Sequence, residues 1–356
     1  MIVLCKMLKA PRKGSLNSRH DRTAPKEMRM SIRPLALPQD LVSAADAIAK
    51  AFQYPGHPEW ELDPAEQEQF ADAIRRIRRA WPAMRLFQCI SPAMRDFMRG
   101  FVWEEGGVFG GFVVAQRDGQ TPVWQIEPLG VLPEFRRRGI ARRLMTEALA
   151  MMRSRGATGV RLGVIDGNTP AQTLYRSLGF VDYGGTALYE RAPSGACQQP
   201  TLPSGYEELR LARFDWRARY EMDQRIVPAG VQKFEAIVPG RYRTPLLMRA
   251  LAPLFRSSVD HDILVRRTRD RVAVGRAGWS TAKSGKGKSS IRVRLDPAHA
   301  DLAPYLVQHA LCEVLSRRPN LPVHLFLPAW MPEVAGQAEA VGFVRKRTHK
   351  AMGMKL

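Results

Sequence analysis

The sequence lacks closely spaced cysteines. Its four cysteines, Cys5, Cys89, Cys197 and Cys312, are widely scattered and include no C-x-x-C pair. Structural zinc sites and disulfide frameworks usually show short, regular cysteine spacings, so neither is expected here. The histidines are equally dispersed. We therefore expect reduced thiols and no bound metal.

Long hydrophobic runs are also missing. No apolar stretch approaches the ~18–20 residues that a membrane-spanning helix needs. The opening MIVLC is too short for the core of a signal peptide, and a lysine follows it at once. The sequence therefore predicts a cytoplasmic protein without a membrane partner.

Acidic residues are outnumbered by basic ones. The chain has 55 Lys and Arg against 34 Asp and Glu, which gives a formal net charge of +21 at pH 7. A field of this sign attracts nucleic acid, anionic lipid and phosphate-rich cofactors alike, and does not choose among them. The charge alone therefore indicates an anionic partner of undefined kind.

The length and local composition predict two domains. A chain of 356 residues exceeds the usual size of a single core. Residues 1–29 are basic, rich in turn formers and without apolar periodicity, which indicates a disordered tail, or an extension upstream of a true start at Met30. A linker rich in Pro, Gly, Ser and Gln at 192–205 then separates a first domain, 30–191, from a second, 206–356.

Hydrophobic periodicity in the first domain predicts a mixed α/β (α+β) fold, with helices packed on a largely antiparallel sheet. The predicted strands are 31–37, 99–105, 108–116, 121–131, 160–165, 180–183 and 187–191. The predicted helices are 41–52, 64–80, 138–155 and 170–178.

The second half repeats this order. Its predicted strands are 263–267, 272–281, 290–295, 323–327 and 343–352, and its predicted helices are 302–317 and 332–340. Pro133 and Pro297 lie 164 positions apart, and Gly179 and Gly342, each followed by Phe, lie 163 apart. Recurrence in step at one period predicts a tandem duplication of the fold.

The segment RRRGIA, which begins at Arg136, carries the first chemical signature. A predicted strand ends at Val131, and a predicted helix begins near Arg138. The first N–H groups of a helix have no partner within it, and the helix dipole favours an anion beside them. Gly139 lets a ligand approach the backbone closely, and Ala141 is nearly as small. The segment therefore predicts a site for a diphosphate.

The segment NTPAQTLYRSLGF, which begins at Asn168, carries the second signature. Ala171, Leu174 and Leu178 are three and four residues apart, so they share the helix face that packs on the sheet. Asn168 precedes a proline, where it can cap the helix or contact a ligand. Gly179 is placed to end the helix.

Together these segments resemble the GNAT superfamily of acyl-CoA N-acyltransferases. Arg136, Gly139 and Ala141 meet its pattern Arg/Gln-x-x-Gly-x-Gly/Ala, and the segment from Asn168 to Phe180 meets its pattern Asn-x-x-Ala-x-x-Leu-Tyr-x-x-x-Gly-Phe. The resemblance covers the first half of the chain. It implies a GNAT-type sheet and an N-acetyltransferase that uses acetyl-CoA.

The resemblance also implies where the cofactor binds. In the family, backbone amides of the first segment hold the pyrophosphate of coenzyme A, and the fourth strand supplies an N–H for the oxyanion. The cofactor-binding residues implied are Leu129, Val131, Arg136, Arg137, Arg138, Gly139, Ile140, Ala141 and Asn168. Pro128 cannot donate a sheet hydrogen bond, which fits a strand that leaves its neighbour at this point.

Two catalytic residues follow from the resemblance. A tyrosine at the position of Tyr175 protonates the leaving thiolate in the family, and an ordinary phenol pKa near ~10 suits an acid at neutral pH. Glu127 is the candidate general base on the fourth strand. Glu104 and Glu105 on the neighbouring hairpin are alternatives, and a chain of waters is another.

The second half departs from these patterns. Residues 300–305 stand opposite the diphosphate segment but lack its glycine and carry Asp301, and Ala338 stands opposite Tyr175. We therefore expect a degenerate repeat that shapes the acceptor site or mediates association. The basic segment 283–288 is either a solvated turn or a contact for an acidic partner.

Three functions remain open on these grounds. The first is acetyl transfer to a small-molecule or peptide amine of unknown identity. The second is non-catalytic binding or sensing of acyl-CoA, which has no need of a thiol acid such as Tyr175. The third is nucleic-acid binding, which the charge suggests but no recognised module supports. The resemblance further implies a bacterial enzyme and leaves homo-oligomerisation open.

Overall fold

The computed structural model describes residues 30–356 except 55, 58–59, 62–63, 91–95, 97, 195–196, 247–248, 250–257 and 283–287. The predicted tail at 1–29 and nearly all of the basic segment 283–288 lie outside the described residues. The described residues form an α/β protein built on one large sheet.

The strands agree closely with the predicted ones. They are β1 Met30–Pro34, β2 Arg99–Glu105, β3 Val108–Arg117, β4 Val123–Val131, β5 Gly159–Ile165, β6 Val181–Arg191, β7 Tyr206–Arg210, β8 Ser258–Arg267, β9 Ala273–Ala282, β10 Ser289–Leu295, β11 Val323–Pro328 and β12 Val344–Lys355.

The helices cover the sheet. Those in the described residues are α1 Asp40–Ala51, α2 Pro64–Ile90, α3 Ile140–Ser154, α4 Thr169–Ser177, α5 Arg217–Ile226, α6 Ala229–Gln232, α7 Pro239–Tyr242, α8 Ala303–Arg317 and α9 Pro332–Ala340. In α3 the apolar stripe Ile140, Leu144, Ala148 and Met152 is fully buried, which explains why this segment is helical and which face it turns to the sheet.

The sheet has the order β1-β2-β3-β4-β5-β12-β6-β11-β10-β9-β8-β7. The neighbours β4 and β5, and likewise β10 and β11, are parallel, and the other neighbouring pairs are antiparallel. The predicted mixed, largely antiparallel sheet is confirmed.

The two halves exchange their last strands. β12, from the end of the chain, pairs with β5 of the first half, and β6 of the first half pairs with β11 of the second. β6 and β12 pair with each other at the centre of the sheet. In that pair Thr186 faces His349, which lies 163 positions later, so an approximate twofold axis passes between these two residues. The strand order thus agrees with a tandem repeat, while the boundary predicted at 192–205 stays a prediction.

The prediction of two strands at 180–183 and 187–191 is wrong. Both belong to the single strand β6, which includes Gly184 and Gly185. The effect of Gly185 is close packing, because a Cβ on this residue would lie only 2.7 Å from the carbonyl oxygen of His349. Glycine therefore allows β12 to approach β6.

The expectation of reduced thiols is also wrong for one pair. Cys197, in the segment between the halves, forms a disulfide bond with Cys312 in α8, and their Cα atoms lie 5.1 Å apart. The side-chain amide of Gln308 in α8 donates to the carbonyl of Gln198 at 2.9 Å. The segment therefore folds back against α8, and cysteines 115 residues apart meet in a way that their spacing does not reveal.

Strand exchange places residues of the chain end in the core of the first half. Met352 and Met354 pack in the same apolar cluster as Tyr175, Phe180 and Leu144, and Met352 is fully buried. Tyr189 of β6 belongs instead to the cluster of the second half. The two cores therefore each depend on a strand from the other half.

We expect Met352→Ala to destabilise the whole protein by about 2–5 kcal/mol, the usual cost of truncating a buried methionine. Because the halves share strands, unfolding in urea should remain one cooperative transition with a lower midpoint, seen alike by circular dichroism and tryptophan fluorescence. Two separate transitions, of which the substitution shifts only one, would show that the exchanged strand does not couple the cores.

Candidate active site

A cavity opens where β4 and β5 separate. The two strands pair in parallel from Val123 to Ile126, opposite Gly159 to Leu162, and the pairing then ends. Beyond it the diverging strands line a cavity of about 1050 Å³. The structure thus contains the opening that the sequence predicted beside Pro128.

The start of α3 faces this cavity. Gly139 is its N-cap with φ of 73°, and Arg137 also has a positive φ, 64°. This loop is described without gaps, and within the described chain no acceptor pairs with the amides of Gly139, Ile140 and Ala141. Free amides at the positive end of a helix dipole attract anions. The loop therefore leaves these amides unpaired at the start of α3, and their binding of an anion stays a prediction.

The arginines of the loop have different contacts. The Arg136 guanidinium donates to main-chain oxygens of the segment that ends α1, at 3.0 and 3.1 Å, and stacks on the Tyr54 ring at 4.6 Å. Arg138 turns away from the cavity and forms a 2.7 Å ion pair with Glu105. Arg137 is exposed and lines the cavity. Arg137 is therefore the loop arginine most available to a ligand.

The remaining predicted cofactor residues divide into two groups. Leu129, Val131, Ala141 and Asn168 line the cavity. The Ile140 side chain is buried in the core, so only its backbone can reach a ligand. The Asn168 side chain accepts a hydrogen bond from the Ala171 amide at 3.2 Å, which makes Asn168 the cap of α4.

Tyr175 projects from α4 into the cavity wall. Only 7% of the residue is exposed. Tyr175 lines the same cavity as Arg136, Arg137 and Ala141 of the loop before α3. Burial, with a smaller contribution from Tyr54, raises the pKa of the Tyr175 hydroxyl above its usual value of 10.0. The phenol therefore keeps its proton at neutral pH and can act as an acid, not as a base.

The three candidate bases have different surroundings. Glu127 lines the cavity, and the Gln125 side chain donates to its carboxylate at 2.5 Å. Glu104 forms an ion pair with Arg33 at 2.8 Å. The hydrogen bond from Arg138 keeps the pKa of Glu105 below its usual value. Glu104 and Glu105 are thus committed to arginines, and Glu127 is the only one of the three that lines the cavity.

Several cavity residues were missed from the sequence. Arg347, His349 and Ala351 come from β12, and Glu235 and Phe326 come from the second half. The sequence did not indicate these residues, because they lie far along the chain from the two motifs and reach the cavity only through strand exchange. An aromatic group before α2 closes another side, where the rings of His57 and Trp60 stack at 3.9 Å.

The second half has a different helix entrance. A 3-10 segment, Pro297–Leu302, leads directly into α8. The Tyr206 hydroxyl lies 2.8 Å from Nδ1 of His299 and donates to the Asp301 carboxylate at 3.2 Å. Side chains of the protein, one of them acidic, therefore surround the point that corresponds to the diphosphate loop.

Comparison with known families supports the resemblance. Residues 58–180 match the Acetyltransferase (GNAT) family. The family match thus lies within the first half of the chain. The match includes both sequence signatures and ends at Phe180, the last residue of the second.

The GNAT domain is similar to curated acetyltransferases. A mycothiol acetyltransferase from Thermobispora bispora is 40% identical over 96 residues, which are 26% of this chain and 32% of that protein. The N-alpha-acetyltransferase RimI from Mycobacterium tuberculosis is 41% identical over 93 residues, 26% of this chain and 56% of that one. The matched segments thus span about a third to a half of these relatives.

Solved structures resemble the whole chain. A tandem GNAT protein from the clavulanic acid biosynthesis pathway has a TM-score of 0.61 at 18% identity and covers 92% of this chain and 98% of its own. A GCN5-related N-acetyltransferase from Sphaerobacter thermophilus has a TM-score of 0.60 at 16% identity, with coverages of 94% and 97%. At these identities the likeness shows the fold, which is that of a tandem GNAT protein.

Two searches of the described residues gave no candidates. No helix in the described ranges is both long and apolar enough to cross a membrane. No group of three or more His, Cys, Asp or Glu within the same ranges could hold a metal ion.

Proposed function

We propose that the protein transfers an acetyl group from acetyl-CoA to a primary amine. One observation carries the proposal: Arg137 and Ala141 at the α3 entrance, the separating strands β4 and β5, and Tyr175 all line a single cavity. The family of the first half, whose members are acetyltransferases, supports the same activity.

The residues around the gap suit the parts of the cofactor. The amides of Gly139, Ile140 and Ala141 would hold the pyrophosphate, with Arg137 adding positive charge. The pantetheine arm would lie between the separated strands, where their unpaired backbone groups can bond it. Arg136 would act indirectly by fixing the loop to the end of α1.

The proposed reaction is direct transfer. The neutral amine attacks the thioester carbonyl, a C–N bond forms, and a backbone N–H near Leu129–Val131 receives the oxyanion. The C–S bond then breaks, the sulfur takes the proton of the Tyr175 hydroxyl, and the proton lost by the amine nitrogen restores the Tyr175 phenol. The products are the acetylated amine and coenzyme A. The role of Glu127 as the base stays a prediction.

The acceptor is proposed to be a small-molecule amine. Glu235 and Phe326 of the second half close one side of the cavity, and aromatic rings before α2 close another, which favours a compact acceptor. Similarity to a mycothiol acetyltransferase points the same way. The α-amine of a peptide is the second candidate, because the relative of 41% identity is an N-alpha-acetyltransferase. A sensor role gives no reason for Tyr175, and nucleic-acid binding none for the cavity.

The test is an acceptor screen that detects released thiol from acetyl-CoA with aminosugars, polyamines, amino acids and peptides with free N termini. Acetylation of at least one class above the rate without enzyme is the expected result. No transfer to any class, with acetyl-CoA bound, would favour the sensor instead.

Calorimetry should show one acetyl-CoA bound per chain. The second half presents the cluster of Tyr206, His299 and Asp301 at the corresponding helix entrance, where an anion would meet a carboxylate. Binding of two equivalents with similar affinity would contradict the proposal that only the first half holds the cofactor.

A further inference from the structure

The exchanged strand β12 brings a histidine to the cavity. Arg347, His349 and Ala351 are alternate residues of β12, and all three line the cavity. Lys350, between them, also lines the cavity, and its ammonium contacts Asp166 at 3.3 Å and Gln172 at 3.5 Å. Because side chains alternate along a strand, the imidazole of His349 projects from the face of β12 opposite to that of Lys350.

The strand pairing places His349 next to the gap between β4 and β5. Parallel pairing of these strands ends at Ile126 and Leu162, and Leu129 and Ile165 both lie just beyond that point. Ile165 pairs with His349, so β12 stays beside β5 where β4 has left it. A group bound in the gap over the end of β5 therefore has β12 as its neighbour on one side.

The helix that carries Tyr175 is anchored at this end of β5. The Gln172 side chain, one turn before Tyr175, donates to the carbonyl of Ile165 at 3.3 Å. Leu129, Tyr175 and His349 therefore all line the same cavity. They approach it from β4, α4 and β12 respectively.

We propose that His349 is the general base that removes the proton from the acceptor amine. This inference rests on the proposed function. The nitrogen of the acceptor ammonium gives a proton to a ring nitrogen of His349, directly or through one water, and then attacks the thioester carbonyl. Tyr175 gives its proton to the departing sulfur, and the second proton that the nitrogen loses after the C–N bond forms restores the Tyr175 phenol. The two protons thus travel through different groups, and the imidazolium afterwards releases its proton to solvent.

The surroundings keep this imidazole neutral. Burial, and to a smaller extent the nearby Arg347 charge, lower the pKa of His349 from its usual value of 6.5. The other titratable or charged groups that line the cavity are Tyr54, His57, Glu127, Arg136, Arg137, Arg161, Tyr175, Tyr183, Glu235 and Lys350. The neutral form is the base, so activity should fall only when the pH is lowered through a pKa below 6.5.

Ion pairs neutralise two of the charged side chains that line the cavity. Arg161 pairs with Asp118 at 3.1 Å, and Glu235 pairs with Arg241 at 3.0 Å. Each charge is therefore compensated within the protein. After burial, the charge of Arg347 on the same strand opposes protonation of His349, and the Arg347 guanidinium also donates to the main-chain carbonyl of Glu61.

The experiment compares the pH dependence of kcat/KM for the wild type and His349→Gln, using the amine with the highest rate in the acceptor screen. We expect a ~10²–10³-fold loss at pH 7. In the variant, the fall of kcat/KM on the acidic side of the profile should move to higher pH, where it follows ionisation of the acceptor amine itself. Acetyl-CoA affinity, measured by calorimetry, should stay within a few-fold. Imidazole added to His349→Ala should restore part of the rate.

The matched control is His324→Gln. His324 is a buried strand histidine of the second half that contacts Glu190 at 2.9 Å and does not line the cavity. The His324→Gln variant should keep the kcat/KM of the wild type and the same pH profile. Equal profiles for the wild type and His349→Gln, or loss of the acidic limb only in Glu127→Gln, would overturn the role of His349. A wild type that acetylates nothing would overturn the proposed function, and this inference with it.

Discussion

Gly139→Val is expected to abolish acetyl-CoA binding while the protein stays folded. Gly139 has φ of 73° at the N-cap of α3, and the space that its Cβ would enter is empty. That space is where a pyrophosphate would meet the amides. Two lost hydrogen bonds to a charged group, at about 1.5–3 kcal/mol each, correspond to an affinity loss of roughly 10² or more. Titration calorimetry with acetyl-CoA measures it.

The chain provides a matched control for this substitution at the other end of α3. Gly156 also has φ of 73°, and nothing lies within 4 Å of the position of its Cβ. Both valine variants should lose about 1–2 kcal/mol of stability from the left-handed backbone. Only Gly139→Val should lose the cofactor. Normal affinity in Gly139→Val, or an equal loss in both variants, would count against the loop as the pyrophosphate site.

Tyr175→Phe should lower kcat by roughly 10²–10³, the usual range for loss of a general acid. The substitution removes one hydroxyl from a residue that is only 7% exposed and keeps its ring in place, so acetyl-CoA affinity should change little. Since burial raises the pKa of this phenol, the wild type should also keep its activity up to a pH above 10.0. Pre-steady-state release of coenzyme A measures the chemical step.

The control for this variant is a tyrosine of equal burial outside the cavity. Tyr305 in α8 is also 7% exposed, and its hydroxyl donates to Glu208. Tyr305→Phe should affect stability alone. If Tyr175→Phe turns over as fast as the wild type, the leaving thiolate takes its proton from another source, and Tyr175 has only a packing role.

Local sequence signals predicted the elements of the site well. The α3 entrance needs a glycine at one backbone position and small residues beside it, so Gly139 and Ala141 reveal it within six residues. Asn168 shows its capping role in the same way, since the acceptor and donor are three residues apart. Arg138 was misleading, because its charge is taken up by Glu105, which lies 33 residues away.

Longer-range features were not visible in the sequence. The alternation of β12 predicts a strand, but a two-residue period carries no information about the strand beside it. Its true neighbours, β5 and β6, were therefore not expected, and neither was the presence of His349 in the cavity. The bond between Cys197 and Cys312 was missed for the same reason, since residues so far apart meet only in the folded chain.

The residues alone thus determined the conformation of the loop Arg136–Ala141 and the secondary structure around it, because both depend on backbone conformation over one or two turns. Folding decided which strands became neighbours, since strand pairing is chosen by the packing of whole faces against helices. That choice places Met352 in the first core and His349 beside the proposed site of acetyl transfer. The cavity is therefore a product of both halves, although its recognisable motifs belong to one.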